Sequence, residues 1–216
     1  MNFNSSYTGV RLDIVSEITG ANKSVLDLGC ATGLNGKYLL DKKIASKVYG
    51  VELDKEMADE ATKIYEKVVV GSLDDDSVFD TFNNEKFDVI LCGDILEHLE
   101  DPWNVLKKLR SLITNSGILI ISLPNIQHID VLIHLFKKGT WPINNRGIFD
   151  KTHKHFFTRS DIQKLAASAS FKIEKFKSNF RFRDKLGSKF PFYGFILKKM
   201  FPKLYTFQYI AVCLPV

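Results

Sequence analysis

Short apolar runs alternate with stretches of helical periodicity over the first 125 residues of the chain. Brief apolar runs bounded by glycine or charged residues are typical of buried strands, and apolar residues repeating every three to four positions indicate amphipathic helices. Five strands are predicted, at residues 24–28, 47–52, 67–70, 87–92 and 117–123. Helices are predicted at residues 5–19, 34–42, 55–66 and 102–113. This alternation favours an α/β fold with a parallel sheet between two layers of helices.

The alternation stops after residue 125, although the chain still reads as a single domain over residues 1–216. Residues 126–157 and 178–205 are predicted to be insertions on the substrate side of a core formed by residues 1–125. Between these insertions Thr158-Arg-Ser-Asp161 resembles a capping box, which predicts a helix to about Ser168. Two final strands are predicted near residues 171–177 and 206–213.

The first predicted strand ends in a loop that contains several glycines, and the second ends in a carboxylate. Gly29, Gly33 and Gly36 allow positive φ and a close approach of the backbone to a ligand. Glu52 follows Gly33 by nineteen residues, a position from which an acidic side chain can accept hydrogen bonds from ribose hydroxyls. The spacing therefore predicts a cofactor that contains a nucleoside. The alternative is a strand-loop-helix turn whose glycines serve packing alone.

The loop departs from the dinucleotide fingerprint G-x-G-x-x-G, because its glycines fall as G-x-x-x-G-x-x-G and Ala31 stands where a middle glycine would be. Asp27 lies two residues before the first glycine. An anion there would repel a pyrophosphate but suits a cofactor that carries positive charge. An NAD-linked reductase is therefore the weaker interpretation.

The segment Asp27-Leu-Gly-Cys-Ala-Thr-Gly33 resembles the first motif of the class I S-adenosylmethionine-dependent methyltransferases, D-x-G-x-G-x-G. The resemblance continues through Val68–Asp74, Phe87–Pro102 and Gly117–Asn125. It implies a Rossmann-like, seven-stranded, mostly parallel sheet in the order 3-2-1-4-5-7-6, with the last strand antiparallel and helices on both faces.

The resemblance also implies which residues hold S-adenosylmethionine. Glu52 would bind the ribose, Asp74 with Leu73 would flank the adenine, and Asp27 would help to shape the methionine pocket. The full set of implied cofactor residues is Tyr7, Arg11, Asp27, Gly29, Cys30, Ala31, Gly33, Glu52, Leu53, Ser72, Leu73, Asp74, Gly93 and Asp94.

Histidines and carboxylates follow the fourth predicted strand. Asp94, Glu97, His98 and the later His153 form a set of oxygen and nitrogen donors that suits Mg²⁺, Mn²⁺ or Zn²⁺. The pattern is similar to the metal site of small-RNA terminal 2′-O-methyltransferases. In many related enzymes the same Glu-His pair braces a loop with no metal, and both interpretations stay open here. His153 is the first candidate for a catalytic base or metal ligand, and His98 is the second.

Net charge is +5, and the positive charge is concentrated near the carboxyl end. Residues 171–216 hold ten Lys or Arg, two acidic residues and nine of the seventeen phenylalanines. This segment is either a strand pair with solvated lysines or a basic, aromatic surface for a phosphate-bearing acceptor or an anionic membrane. No secretory signal is expected from the first residues. The three cysteines are predicted to be buried and reduced, which predicts a cytoplasmic protein, with the inner face of the membrane as an alternative location.

Three functions follow as hypotheses. The pattern resembles that of methyltransferases acting in bacterial surface polysaccharide biosynthesis, which favours O-methylation of a sugar or another small hydroxylated acceptor. We expect such an enzyme to be a monomer or a homodimer. The second hypothesis is a metal-dependent RNA ribose 2′-O-methyltransferase, although nucleic acid is the less favoured partner. The third is a non-catalytic S-adenosylmethionine-binding partner of a glycan-assembly enzyme.

Overall fold

The computed structural model describes residues 9–185 and 188–216. Its seven strands form one sheet in the order β3-β2-β1-β4-β5-β7-β6. Neighbouring strands from β3 to β5 are parallel, and β7 runs antiparallel to both β5 and β6. The predicted strand order and the antiparallel last strand are confirmed. The strands are β1 (Lys23–Leu28), β2 (Ala45–Glu52), β3 (Lys67–Val70), β4 (Phe87–Gly93), β5 (Ile113–Pro124), β6 (Phe171–Phe180) and β7 (Thr206–Pro215).

Helices surround the sheet and also lie in both insertions. They are α1 (Leu12–Val15), α2 (Leu34–Asp41), α3 (Lys55–Ala61), α4 (Ser77–Asp80), α5 (Pro102–Leu112), α6 (Ile129–Leu132), α7 (Arg159–Ser168), α8 (Phe192–Met200) and α9 (Pro202–Tyr205). A 3₁₀ turn covers Leu96–His98, and a π-helical turn, Ile133–Lys137, continues α6. None of the helices within residues 9–185 and 188–216 is long and apolar enough to cross a membrane.

Two helix starts that the sequence predicts are present with their capping bonds. The Asp101 carboxylate accepts a hydrogen bond from the Asn104 backbone amide at 2.9 Å, and Pro102 occupies the first turn of α5. Thr158 and Asp161 exchange side-chain and backbone hydrogen bonds at the start of α7. Both helices therefore begin where local capping chemistry places them.

Three predicted elements have a boundary that differs from the observed one by four residues or more. Of the helix predicted at residues 5–19, the part of the chain that the structure describes is helical only in the four residues of α1. Helix α3 ends at Ala61 instead of near residue 66, because the chain turns there and carries Tyr65 into the interior. Strand β5 begins four residues before the predicted start, since its first residues are partly exposed and polar and so lie outside the apolar run.

Alternate residues of the central strands pack into two different cores, one on each face of the sheet. Leu26 and Ile90 belong to the larger core, whereas their neighbours Val25 and Leu91 belong to the second. Cys30, Cys92 and Cys213 are buried and unpaired, as predicted. The two cores fix the strands so that their carboxyl ends meet along one edge of the sheet.

Gly36 in α2 is a packing constraint that a single substitution can test. A Cβ at this position would lie 2.1 Å from the Tyr65 ring, whereas a Cβ at Gly9 meets nothing within 4 Å. Because Tyr65 is buried and cannot move aside freely, we expect Gly36→Ala to lower the free energy of unfolding by about 2–3 kcal/mol. The matched control Gly9→Ala should leave it within about 0.5 kcal/mol of the original. Urea unfolding measures both, and equal stabilities would contradict the packing described.

Candidate active site

The loop after β1 turns back over the end of β2. Gly29, Ala31 and Gly33 have φ of +67°, +47° and +80°, so Ala31 adopts the left-handed conformation for which glycine is favoured. The Ala31 amide donates to one oxygen of Glu52 at 2.8 Å, and the Asp54 amide donates to the other at 2.9 Å. Carboxylate oxygens accept more than one hydrogen bond each. The loop therefore keeps the shape of the glycine-rich motif although one glycine is replaced. The two amide hydrogen bonds fix the position of the Glu52 carboxylate, whose oxygens can still accept hydrogen bonds from a ligand.

Asp27 lies beneath this loop, where it anchors α2. Its carboxylate accepts a hydrogen bond from the Tyr65 hydroxyl at 2.7 Å, and that hydroxyl accepts one from the Gly36 amide at 3.0 Å. Asp27 is only 3% exposed, and this burial raises its pKa to about 6. Asp27 is predicted to help shape the methionine pocket, and in the structure its carboxylate bonds to Tyr65 below the loop that follows β1.

A surface suited to an adenosine lies beside Glu52. Leu53 is 71% exposed and Val70, at the end of β3, is 49% exposed. The Asp74 carboxylate accepts from the Glu100 amide at 2.9 Å, and Leu73 is buried next to it. Two exposed apolar side chains flanked by carboxylates fit a flat, apolar base attached to a diol. The predicted residues Glu52, Leu53, Leu73 and Asp74 are thus at one edge of the sheet.

Asp94, which follows β4 and Gly93, is held by groups from three distant segments. Its carboxylate accepts hydrogen bonds from Arg11, from Gln208 on β7 and from the Ser122 hydroxyl at 3.1 Å. Asp94 has a φ of +56°. Sequence reasoning predicted Arg11 but missed Ser122 and Gln208, because nothing local in β5 or β7 indicates a shared carboxylate. Tyr7 lies outside the described residues.

Glu97, His98 and His153 come together in the 3₁₀ turn after β4 and in the first insertion. Their potential ligand atoms all lie within 4.8 Å of one another. The nearest Glu97 oxygen is 3.9 Å from His153 Nε2, and the two imidazole rings are 4.7 Å apart. Asp94, the fourth residue of the predicted metal set, lies outside this group and bonds to Arg11 instead.

The other ring nitrogen of each histidine already has a neighbour. His98 Nδ1 lies 3.0 Å from the Thr152 hydroxyl, and His153 Nδ1 lies 3.3 Å from the carbonyl oxygen of Ile148. Such contacts fix the ring orientation and leave Nε2 to face the cluster. Thr152 and Ile148 are residues that sequence reasoning missed, since their contribution depends on how the insertion folds.

Glu97 is the most unusual group of the site. It is 1% exposed, and within the part of the chain that the structure describes neither of its carboxylate oxygens has a hydrogen-bond partner. Burial, with a smaller effect of the nearby Asp94 charge, raises its pKa well above the ordinary value. Burial lowers the pKa of both His98 and His153, and the adjacent His98 lowers that of His153 further. A buried carboxyl without a partner is rare and costly, so Glu97 is a candidate for a chemical rather than a structural role.

The remaining histidines near this edge have structural contacts. His155 lies against Trp103 and contacts the Glu100 carbonyl, and His128 is fully buried against the Arg181 carbonyl. A cavity of about 290 Å³ opens nearby between the two insertions. Its lining includes Asp130, His134, Asn144, Phe149, Arg183 and Lys185.

The order of the strands, the left-handed loop and the carboxylate at the end of β2 agree with the match of one family model, the methyltransferase domain, to residues 10–175. The chain belongs to this family. Its fold is that of the class I S-adenosylmethionine-dependent methyltransferases, and the loop, Glu52 and the adenosine surface fit that cofactor. The carboxyl-terminal insertion and β7 lie beyond the matched residues.

Curated relatives include ubiquinone biosynthesis O-methyltransferases. The protein of Actinobacillus pleuropneumoniae serotype 7 is 30% identical over 125 residues, which are 54% of this chain and 53% of that protein. The protein of Coxiella burnetii (strain RSA 493 / Nine Mile phase I) is 31% identical over 143 residues, 61% of this chain and 60% of the relative. The matches therefore span little more than half the length of these relatives.

Solved structures share the fold at low sequence identity. A SAM-dependent methyltransferase from Archaeoglobus fulgidus has a TM-score of 0.65 at 17% identity, covering 94% of this chain and 91% of that one. Magnesium protoporphyrin IX methyltransferase from Synechocystis PCC 6803, with bound SAH, has a TM-score of 0.59 at 18% identity, with 95% and 78% covered. These likenesses establish the architecture.

The buried Asp27 carboxyl predicts a pH-dependent stability. Because its pKa rises from 3.8 to about 6 on folding, the folded chain binds the proton more tightly. That contribution is complete below about pH 4 and is lost as pH rises through about 6, by on the order of 3 kcal/mol. We expect Asp27→Asn to lack this loss, so the variant should gain stability relative to the original chain between pH 4 and 7. Urea unfolding across this range measures the difference. The exposed Asp80→Asn is the control, and a pH-independent difference for Asp27→Asn would contradict the assignment.

Proposed function

We propose that this chain transfers the methyl group of S-adenosylmethionine to a hydroxyl of a small molecule, with Glu97, His98 and His153 activating that hydroxyl. The observation that carries the proposal is the buried, unpartnered carboxyl of Glu97 beside two imidazoles, directly after the strand that ends at the cofactor edge. The O-methyltransferase names of the curated relatives support transfer to oxygen.

The residues of the cluster suit removal of a proton from a hydroxyl. The sulfonium of the cofactor supplies an electrophilic methyl group, so the remaining task is to orient the acceptor and take its proton. Burial and the adjacent His98 lower the pKa of His153, which favours the neutral imidazole, and its Nδ1 faces the Ile148 carbonyl. With the ring proton on Nδ1, Nε2 is free to accept the acceptor's proton.

A divalent cation held by Glu97, His98 and His153 is the finer form of this proposal. One carboxylate and two imidazoles whose Nδ1 atoms are fixed by second contacts form a donor set found at metal sites, and two imidazoles favour Mn²⁺ or Zn²⁺ over Mg²⁺. A bound cation supplies Lewis acidity that lowers the pKa of a coordinated hydroxyl. It would also give the Glu97 oxygens the partner they lack.

For the acceptor, we propose a saccharide or a phosphate- or lipid-linked hydroxyl compound. The cavity between the insertions combines the Phe149 ring with Asn144 and the charged Asp130, Arg183 and Lys185. Ile148 links this cavity to the histidines, since its amide donates to Asp184 at 3.0 Å and its carbonyl faces His153. A non-catalytic binding partner would have no use for a buried, unpaired carboxyl beside two imidazoles.

Acceptor identity is tested by incubating the purified protein with labelled S-adenosylmethionine and four acceptor pools. These are nucleotide sugars, lipid-linked saccharides, ubiquinone precursors and short RNAs. We expect label in a sugar or lipid-linked hydroxyl. Label in RNA, with binding that weakens steeply as salt rises, would favour ribose methylation instead.

Cofactor binding should depend on Glu52. Replacing it by Gln removes the charge and turns one acceptor oxygen into a donor that opposes the Ala31 or Asp54 amide. We expect Glu52→Gln to weaken S-adenosylmethionine binding by about tenfold or more, because hydrogen bonds to a charged group contribute about 1.5–3 kcal/mol each. Titration calorimetry measures this, with the exposed Glu56→Gln as the matched control. Equal affinities of both variants would remove Glu52 from the cofactor site.

Turnover should depend on His153 without a matching effect on cofactor affinity. We expect His153→Asn to lower kcat by about 10²- to 10⁴-fold while the Kd for S-adenosylmethionine stays within about twofold. His155→Asn, which alters a neighbouring imidazole outside the cluster, should have a much smaller effect. A His153→Asn enzyme with normal turnover would exclude this residue as base and as ligand.

Metal binding is tested separately, by calorimetric titration of the chelator-treated protein with Mn²⁺, Zn²⁺ or Mg²⁺. We expect one cation per chain and loss of binding in Glu97→Gln. The variant should stay folded, because the replaced carboxyl has no partner to lose. Full activity after chelation, with no cation bound, would leave His153 as a base acting without metal.

A further inference from the structure

Helix α8, in the second insertion, turns its large apolar side chains outward. Phe192 is 87% exposed, and Ile196 and Met200, one and two turns later, are 54% and 63% exposed. Gly194 is the buried residue of the helix and packs near Pro191, Phe182 and Phe190. A surface helix ordinarily does the opposite and buries its apolar stripe. The outward face of α8 is therefore built to be covered by something other than the body of this chain.

Lysines lie at the carboxyl end of this apolar face. Lys198 Nζ lies 4.8 Å from the centre of the Phe180 ring, and Lys199 and Lys203 follow in the next turn of chain. Between residues 180 and 205 the sequence contains one acidic residue, Asp184, and its side chain is 4% exposed and engaged with the Ile148 amide. We call the set Phe180, Phe192, Tyr193, Phe195, Ile196, Met200, Lys198, Lys199 and Lys203 the α8 surface. Its exposed charge is entirely positive.

This combination identifies the class of partner. Aromatic and aliphatic side chains on one side of a helix, with lysines at its carboxyl end, fit the boundary between headgroups and acyl chains of a bilayer that carries anionic lipids. A second copy of the chain fits poorly. A two-fold interface would bring six lysines into or beside one contact, and the α8 surface contains no acidic residue to pair with them.

We propose that the α8 surface docks the protein on an anionic lipid bilayer. Arg183 and Asp184 precede α8 in the second insertion, and the Arg183 side chain and the Asp184 amide both bond to Asp130 of α6, which lines the cavity between the insertions. Docking through α8 would place a bilayer beside the insertion that lines part of this cavity, so an acceptor carried on a lipid would be near it. The docking itself does not depend on the proposed methyl transfer to oxygen.

The test is co-sedimentation of the full chain with vesicles. Two compositions are compared, phosphatidylcholine alone and equal parts of phosphatidylcholine and phosphatidylglycerol. We expect binding to the mixed vesicles at least about tenfold tighter than to phosphatidylcholine, because each lysine near the surface adds an electrostatic attraction that salt screens. Raised ionic strength should weaken it.

Two variants separate the charged and apolar contributions. Reversal of charge at Lys198, Lys199 and Lys203 to Glu should lower affinity for the mixed vesicles by about tenfold or more. The matched control reverses three exposed lysines at the amino-terminal edge of the sheet, Lys42, Lys47 and Lys67, and should change affinity by less than about threefold. Phe192→Ser with Ile196→Ser should also lower binding by about tenfold or more, since buried apolar area contributes directly.

S-adenosylmethionine affinity, measured on the same samples, reports that each variant remains folded with its cofactor site intact. Equal binding to both vesicle compositions, or equal effects of the two lysine triples, would overturn the proposal. So would a dimer in sedimentation velocity that Phe192→Ser with Ile196→Ser dissociates, because a second copy would then cover the α8 surface. A failure of methyl transfer to all acceptors with vesicle binding intact would refute the proposed function alone.

Discussion

The hydrogen bond from Tyr65 to the buried Asp27 carboxylate is the contact on which the cofactor edge depends. It joins the end of β1 to the turn after α3. The same Tyr65 hydroxyl accepts a hydrogen bond from the Gly36 amide of α2. Because the Tyr65 ring occupies the space of a side chain at Gly36, the helix can approach only with glycine there. The loop after β1 contains three residues in the left-handed conformation, and its Ala31 amide donates a hydrogen bond to Glu52.

The second constraint is electrostatic and lies at the end of β4. Asp94 forms an ion pair with Arg11. Glu97, only three residues later, is buried and has no hydrogen-bond donor within the described residues. Two neighbouring carboxylates with such different surroundings are suited to different tasks, one structural and one chemical. Arg11 pairs with Asp94, and Glu97 with its two imidazoles forms the cluster to which we assign the proposed chemistry.

The family model covers only one of the two insertions. The first lies within the match, which ends at residue 175, whereas the second, with α8, lies beyond it. The curated relatives match over little more than half their length. The attachment of the insertions is firm, since Asp130, Arg183 and Asp184 join the two insertions to each other.

The sequence by itself determined the capped starts of α5 and α7 and the carboxylates at the strand ends, because strand runs, caps and glycine loops are local signals. The sheet order followed from the resemblance of its motifs to those of the class I methyltransferases. The sequence could not determine that Ser122 and Gln208 share Asp94, that Tyr65 supports Asp27, or that Asp94 leaves the histidine cluster while Glu97 stays without a donor. Those outcomes depend on contacts between residues far apart in the chain. Tertiary packing also decided which side of α8 faces outward. The sequence contains the apolar and basic residues of this helix, but only the burial of Gly194 in the structure shows that the apolar residues face away from the rest of the chain.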